Sequence, residues 1–343
     1  MNNETQNRNT LIRSVLRLMK PLYVVLVKVP LFATCVRLWV IHHYRCLNRR
    51  SSAGTTPWVC SFTYEIDQRV SYVEEVYFDY FKKSGLSQDC IKGKKILEVG
   101  PGENLGVALK LLANGASQVV CVDRFSSLVD REKQAAVYAN LLDRMSDEER
   151  KTVREIIDLR GSEFVIDQNR LRYVNVPMEE LSSLYPGACF DFVISRAVLE
   201  HVFDIDRALK VMDSLLASGG YMLHEIDFRD HGMYSRYLLH PLTFLTIPER
   251  TWHAISSNLG APNRRMSGYY STFFAAGGYK TDICYILFID AWNQPVMQRD
   301  IPEHLLSRLR RDRQFLRIAN RCPHYSEEDL MVAGAFFTAY KPR

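Results

Sequence analysis

The sequence predicts an α/β fold in which helices cover both faces of a mostly parallel β-sheet. Short apolar runs typical of buried strands alternate with longer segments in which apolar residues recur at helical spacing. Strands separated by helices pair in parallel, because a parallel pair needs a long crossover connection. A glycine-rich turn follows the first apolar run. It marks the edge of the sheet at which such folds bind ligands.

The order of elements begins with a helix over residues 67–83, where aromatic and aliphatic side chains recur every three or four positions. A strand over 94–99, a helix over 104–114 and a strand over 118–123 follow, and they form one βαβ unit. The pattern continues with helices over 128–145 and 147–159, strands over 171–176 and 190–195, a helix over 204–217, a strand over 221–226, a helix over 268–276, and strands over 283–289 and 332–339.

Composition indicates a folded globular chain. Hydrophobic residues make up 47% and charged residues 24% of 343 positions, which excludes disordered, collagen-like and polytopic membrane proteins. The eight cysteines form no C-x-x-C pair, so a reducing, cytoplasmic compartment fits best. Residues 5–64 hold nine Lys and Arg and no acid, whereas the 279 residues after them hold 35 bases and 38 acids. We therefore expect no nucleic-acid partner.

The amino-terminal residues 1–57 are predicted to form a basic, hydrophobic helical extension that ends in a linker. Sixteen apolar residues lie between Leu22 and Ile41, interrupted by one proline and two charged residues. Three interpretations stay open: peripheral contact of residues 11–50 with an anionic membrane surface, a helical cap on the following domain, and a membrane span. Peripheral contact is favoured, and it places the protein at the inner face of the membrane.

The glycine-rich turn has the spacing E-x-G-x-G-x-x-x-G, formed by Glu98, Gly100, Gly102 and Gly106. Glycines permit close approach of a ligand, and the start of the next helix supplies free N–H groups. A dinucleotide site requires G-x-G-x-x-G instead, and a carboxylate beside the turn suits a cationic ligand. Asp123, at the tip of the second strand, can accept hydrogen bonds from both ribose hydroxyls. The two strand ends therefore indicate a pocket for a cationic nucleoside.

With these motifs the sequence resembles the class I S-adenosylmethionine-dependent methyltransferases, over roughly residues 72–289 and the final strand. The resemblance implies a Rossmann-like, seven-stranded sheet in which only the last strand is antiparallel, with S-adenosyl-L-methionine as cofactor. A finer likeness is to type-11 bacterial methyltransferases among surface-polysaccharide and secondary-metabolite enzymes. It implies a small-molecule, sugar or glycan acceptor.

The resemblance also implies roles for individual residues. Gly100 and Gly102 would line the methionine part of the cofactor, Glu98 would orient its ammonium group, and Asp123 would hold its ribose. Further cofactor contacts are implied for Pro177, Met178 and Glu179 after the third strand of the sheet, and for Ser195 and Arg196 at the end of the fourth.

Catalysis by such an enzyme depends chiefly on alignment, because methyl transfer from a sulfonium is an in-line displacement. A base is needed when the acceptor is a hydroxyl. Histidines and carboxylates follow the fourth and fifth strands, which favours O-methylation. His224 is the preferred base, with His201 and Asp227 as the other candidates. Strand alternation puts the side chains of His224 and Asp227 on opposite faces of the sheet, so both cannot face the cofactor.

No metal site is predicted from the sequence. Glu200 and His201 are adjacent and offer two ligands, but the spacing does not define a third, whether His224 or His231.

One α/β domain is predicted over residues 58–343, with insertions at about 228–267 and 290–330. The first insertion is predicted to be a lid over the cofactor end of the sheet. Two other functions stay open: a non-catalytic scaffold that binds the cofactor, and a nicotinamide-dependent oxidoreductase. The acceptor atom and the oligomeric state are not readable from the sequence.

Overall fold

The computed structural model describes residues 35–36, 64–125, 130–185, 187, 189–231, 240–256, 261–289 and 294–343. Nearly all of the predicted amino-terminal extension lies outside these residues, so membrane contact, cap and span all stay predictions, as does the domain boundary after residue 57. Among the described residues, no helix is both long enough and apolar enough to cross a membrane.

The strands form one large sheet and one small hairpin. They are β1 (Lys95–Val99), β2 (Gln118–Val122), β3 (Ile157–Arg160), β4 (Glu163–Ile166), β5 (Leu171–Val174), β6 (Phe190–Arg196), β7 (Leu216–Asp227), β8 (Lys280–Phe288), β9 (Val296–Met297) and β10 (Val332–Tyr340).

The large sheet has eight strands in the order β5-β2-β1-β6-β7-β10-β8-β9. The first five of these are parallel, and β10 is antiparallel to both β7 and β8. The predicted mostly parallel sheet with an antiparallel final strand is therefore confirmed. The two-residue β9 adds an eighth, antiparallel strand at the edge beside β8, which the sequence did not predict.

Helices cover both faces of the sheet, as predicted. They are α1 (Ile66–Ser84), α2 (Gly106–Ala113), α3 (Arg131–Arg144), α4 (Asp147–Ile156), α5 (Ile205–Leu215), α6 (Glu249–Ser256), α7 (Ser267–Ala276), α8 (Glu303–Leu309), α9 (Arg313–Ala319) and α10 (Glu327–Met331). Helices α1 to α4 contribute to the core on one face, and α5 to α10 contribute to the core on the other.

Burial on both faces explains why the strands read as continuous apolar runs. Along β1, Ile96 belongs to the core beneath α1 to α4, whereas Leu97 and Val99 belong to the core beneath α5 to α10. Successive side chains point to opposite faces, so each position of a covered strand needs an apolar residue. Glu98 is the one buried polar residue of this strand, and it borders the site described below.

The helix predicted over 147–159 ends earlier than expected. α4 stops at Ile156, and residues 157–166 form the β3–β4 hairpin, in which Ile157 lies opposite Ile166. Gly161 occupies the turn at φ 67°, a conformation that favours glycine. The apolar Ile157 continues the helical spacing of α4, so periodicity alone could not separate the two elements.

Ion pairs hold α1 against the carboxyl ends of the strands. Lys83 Nζ lies 2.7 Å from Glu225 Oε2 of β7 and 2.8 Å from Asp79 Oδ2 of α1 itself. Arg196, at the end of β6, lies 2.7 Å from Asp79 and 2.9 Å from Glu75. All of these side chains except that of Glu75 are largely shielded from solvent, so the pairs fix the helix more firmly than exposed pairs would.

A second buried charge pair joins α2 to α4. Lys110 Nζ lies 2.6 Å from Glu149 Oε1, and the Asn114 amide donates to the same oxygen at 2.9 Å. Burial by itself would raise the pKa of Glu149. The Lys110 ammonium, the Ser146 backbone N–H and the Asn114 amide outweigh burial and lower this pKa to about 2.

We predict that Glu149→Gln lowers the free energy of unfolding at pH 7 by about 2 kcal/mol, because the Lys110 ammonium, 8% exposed, loses its counter-charge. The folded-state pKa lies below the ordinary value of 4.5, so the deficit is full above that pH and shrinks as the pH falls towards 2. Urea unfolding between pH 7 and pH 3 measures it, with the exposed Glu148→Gln as control. A deficit that does not change with pH would contradict the prediction.

Candidate active site

A cavity of about 320 Å³ opens at the carboxyl ends of β1, β2, β5 and β6. The turn after β1, the end of β2, the segment after β6 and one side of α1 form its wall. Seven of the nine predicted cofactor residues line it: Glu98, Gly100, Gly102, Asp123, Met178, Glu179 and Arg196. Of the three candidate catalytic residues, His201 lines it.

The turn after β1 requires glycine at position 100. Gly100 has φ 70°, and a Cβ there would lie 2.4 Å from Val198 Cγ2. Its N–H donates to the Val122 carbonyl at 2.8 Å, which ties the turn to β2. Gly102 has φ 75° with no other atom within 4 Å of its missing Cβ, so its backbone borders the cavity directly. The predicted close approach of backbone and ligand is therefore sterically available here.

Two carboxyl groups lie on this side of the cavity. Glu98 is 4% exposed, and the Cys121 thiol donates to its Oε2 at 3.3 Å. Burial raises the pKa of Glu98 to about 7, although the thiol hydrogen bond lowers it somewhat. Asp123 follows β2, and its Oδ1 accepts the Phe125 N–H at 2.9 Å. A cationic amine beside Glu98 and a diol beside Asp123 are the ligand groups that these side chains fit.

The family model described as "Methyltransferase domain" matches residues 70–266, which is more than half of the chain. The chain belongs to the class I S-adenosylmethionine-dependent methyltransferases. S-adenosyl-L-methionine is the cofactor of this family and methyl transfer its reaction. The nicotinamide-dependent oxidoreductase and the non-catalytic scaffold are thereby set aside. The subgroup is not resolved, so the likeness to polysaccharide and secondary-metabolite enzymes stays a prediction.

Solved structures with a similar fold include the Haemonchus contortus phosphoethanolamine N-methyltransferase 2, in complex with phosphomonomethylethanolamine and S-adenosylhomocysteine. It is 16% identical with a TM-score of 0.42, over 78% of this chain and 53% of that one. An S-adenosylmethionine-dependent methyltransferase from Mesorhizobium loti is 15% identical with a TM-score of 0.40, over 80% and 99% of the two chains. The chain thus spans about half the length of the Haemonchus enzyme. No curated protein matches it.

Four predicted site residues do not line the cavity: Pro177, Ser195, His224 and Asp227. Pro177 instead precedes the 3-10 helix Met178–Ser183 as its N-cap, and the first residue of that helix does line the cavity.

His224 lies inside the sheet core, 0% exposed, with its Nδ1 2.8 Å from Ser195 Oγ. Strand alternation places it on the same face as Met222 and Ile226, beneath α5 and α7. Burial lowers the pKa of His224 to about 3, so its imidazole is neutral at pH 7. That His224 acts as the base stays a prediction. The buried position of His224, outside the cavity, does not support it.

The polar cluster after β6 and β7 contains Asp227, Glu200, His201 and His231. Glu200 is 2% exposed, and its Oε1 accepts the Asp227 N–H at 3.3 Å. Burial and the Asp227 charge raise the pKa of Glu200 well above its usual value. Burial alone would raise the pKa of Asp227, but Arg229, at 2.6 Å, and His231 lower it. The rings of His201 and His231 have centroids 4.7 Å apart.

The contribution of α1 to the cavity was not predictable from motif spacing. Its inner side supplies Tyr72, Val73, Val76 and Tyr80, and the residues just before it supply Tyr64. The aromatic repeat of this helix was the available signal. It predicted a helix packed on the sheet, but only the tertiary contacts show that the helix reaches the ligand edge.

Asn263, in the predicted insertion at 228–267, contacts the segment after β6. The Asn263 side-chain amide donates to the carbonyls of Leu199 and Val202 at 2.7 and 3.1 Å, and its N–H donates to the Glu200 carbonyl at 2.6 Å. None of the described residues of the insertion lines the cavity. The lid role stays a prediction, and the described contacts brace the cavity wall from outside.

We predict that Asp123→Ala weakens binding of S-adenosylhomocysteine at least about tenfold, because each charge-assisted hydrogen bond to the ribose contributes about 1.5 to 3 kcal/mol. Isothermal titration calorimetry measures the affinity, and the exposed Asp143→Ala is the matched control. Unchanged affinity in the Asp123 variant would show that another group holds the ribose.

We also predict that the cofactor affinity rises as the pH increases through about 7, the pKa of Glu98. Only the ionised carboxylate pairs with an ammonium group, so binding favours deprotonation of Glu98. Calorimetry between pH 5.5 and pH 8.5 tests this, with Glu98→Gln as the comparison. The variant should bind weakly with a flat profile, and an identical pH dependence in both proteins would exclude Glu98 as the cause.

Proposed function

We propose that the protein transfers the methyl group of S-adenosyl-L-methionine to an oxygen atom of a small-molecule, sugar or glycan acceptor. The observation that carries the proposal is the position of His201. This residue lines the same cavity as Glu98, Gly100 and Asp123. It lies in the 3-10 turn after β6, whereas those three follow or end β1 and β2. An imidazole beyond the cofactor residues suits an acceptor hydroxyl, which must lose its proton during methyl transfer.

Aromatic side chains support an acceptor with flat or weakly polar faces. Tyr64, Tyr72 and Phe203 line the cavity, yet each keeps a large part of its surface exposed. The Phe203 ring also lies 5.1 Å from the ring of His253. Partly exposed aromatic rings around a cavity favour a ligand that stacks on them, and both sugar rings and planar metabolites do so.

The residues of this chain would act by holding and aligning the two substrates. The cofactor, when bound, supplies an electrophilic methyl group. Glu98 would pair with its ammonium group, Asp123 would accept hydrogen bonds from its ribose, and Met178 would border its adenine. His201 would contact the acceptor oxygen. Alignment of that oxygen with the methyl carbon then supplies most of the acceleration.

The acceptor itself is found by incubating the enzyme with a cell extract and methyl-labelled cofactor, followed by mass spectrometry. We expect the label in an O-methyl group. A label found on nitrogen or carbon would contradict O-methylation while leaving the family assignment intact.

Once an acceptor is known, two variants separate the candidate bases. We predict that His201→Ala lowers turnover ~10²-fold or more while cofactor affinity stays nearly unchanged, the pattern expected when a group that acts on the acceptor is lost. His224→Ala serves as the comparison, because its side chain is buried away from the cavity. Steady-state kinetics and calorimetry decide between them. A large loss of turnover in a folded His224 variant, with normal turnover in the His201 variant, would restore His224 as the base.

A further inference from the structure

We propose that Glu200, His201 and His231 bind a divalent transition-metal ion at the wall of the active-site cavity. Each side chain offers one ligand atom, and these atoms all lie within 4.8 Å of one another. The residues come from two distant segments, the 3-10 turn after β6 and the loop after β7. The fold therefore supplies the third ligand that spacing in the sequence left undefined, and that ligand is His231 rather than His224.

Glu200 is the side chain that most directly indicates a cation. It is 2% exposed, and its Oε1 accepts the Asp227 N–H. Its Oε2 is buried without a hydrogen-bond partner. A buried carboxyl oxygen without a partner costs free energy, and buried charges in proteins are usually paired or coordinate metals. A metal ion between the carboxylate and the two imidazoles supplies the missing contact.

The ligand types and their separations suit a transition metal. Ligand atoms around a tetrahedral Zn²⁺, with bonds of about 2.0 to 2.1 Å, lie roughly 3.3 Å apart. The present limit of 4.8 Å therefore requires an approach of at most about 1.5 Å, which side-chain rotation can provide. Two imidazoles and one carboxylate favour Zn²⁺, Co²⁺ or Mn²⁺ over Mg²⁺ and Ca²⁺, which prefer oxygen ligands.

The groups around Glu200, His201 and His231 are compatible with a bound cation. Among the described loop residues 228–231, the cation is Arg229, and its guanidinium is paired with both carboxylate oxygens of Asp227. Asn263 holds the turn that carries Glu200 through three hydrogen bonds to its backbone carbonyls. Groups that fix the backbone of a ligand-bearing segment serve the same purpose as outer-shell contacts in known metal sites.

The ion would act on the acceptor, and this step rests on the proposed O-methylation. His201 lines the cavity, and as a metal ligand it would act on the acceptor through the ion rather than take up the proton itself. Three protein ligands leave a coordination position open to an acceptor hydroxyl. Coordination makes the hydroxyl more acidic, so its proton passes to solvent water. The oxygen then forms a bond to the methyl carbon. The carbon–sulfur bond breaks, and its electron pair stays on sulfur, which becomes a neutral thioether.

Metal binding by the full-length protein tests the proposal without any measurement of methyl transfer. Protein stripped by a chelator is titrated with Zn²⁺ by calorimetry and with Co²⁺ by visible absorption. We expect one ion per chain and a Co²⁺ absorption band from nitrogen and oxygen ligands. Glu200→Gln, which preserves an acceptor for the Asp227 N–H, and His231→Ala should each weaken Zn²⁺ binding at least about 100-fold. The exposed His324→Ala should bind as the wild type does.

Two outcomes would overturn the site. One is that the wild type binds no stoichiometric metal ion. The other is that Glu200→Gln and His231→Ala both bind Zn²⁺ with the affinity of the wild type. Binding of S-adenosylhomocysteine shows that each variant is folded, and His231→Gln replaces His231→Ala if the latter is not. A metal-free enzyme that O-methylates its acceptor at the full rate would overturn the role of the ion. Methylation of nitrogen or carbon would instead overturn the proposed function and leave the metal measurement valid.

Discussion

The central place of β1 in the sheet is the constraint on which the site depends. β1 pairs in parallel with β2 on one side and with β6 on the other. Parallel strands end at the same edge, so the turn at Gly100, the carboxylate of Asp123 and the segment that carries His201 meet around one cavity. Contact between Gly100 and Val198 then sets their spacing, because any side chain at position 100 would displace the segment after β6.

Helix α1 forms the cavity wall opposite the sheet. The hydrogen bonds of the sheet do not hold this helix in place. Packing of its apolar side joins α1 to the core, and the ion pairs of Lys83 and Arg196 fix it to the ends of β6 and β7. The same Arg196 lies 5.4 Å from the ring of Tyr72, which lines the cavity. One network of charges thus positions both a structural helix and an aromatic ring at the ligand edge.

The segments after β6 and β7 carry the polar groups that we assign to the proposed acceptor side. Their backbone conformations are unusual, with φ 52° at Ala197 and φ 50° at His231. Such left-handed conformations of residues other than glycine cost about 1 to 3 kcal/mol, and surrounding contacts must compensate for them. Asn263 supplies such contacts from the insertion. Asn263 therefore supports the cavity wall from outside the cavity.

The sequence by itself determined the α/β class, the parallel sheet, the glycine-rich turn after β1 and the acid at the end of β2. Those features are local, because apolar periodicity, glycine spacing and strand ends each depend on residues that are close together in the sequence. The β3–β4 hairpin was not predicted from the sequence, because Ile157 continues the helical spacing of α4.

Only the tertiary structure decided which of the chemically suitable side chains meet. Strand alternation left His224 and Asp227 on opposite faces of the sheet, and α5 and α7 cover the face that carries His224, which buries it. Packing of α1 made Tyr72 part of the cavity, and the loop after β7 brought His231 beside Glu200. Contacts between segments distant in the chain depend on the packing of whole elements, and neither periodicity nor motif spacing encodes that packing.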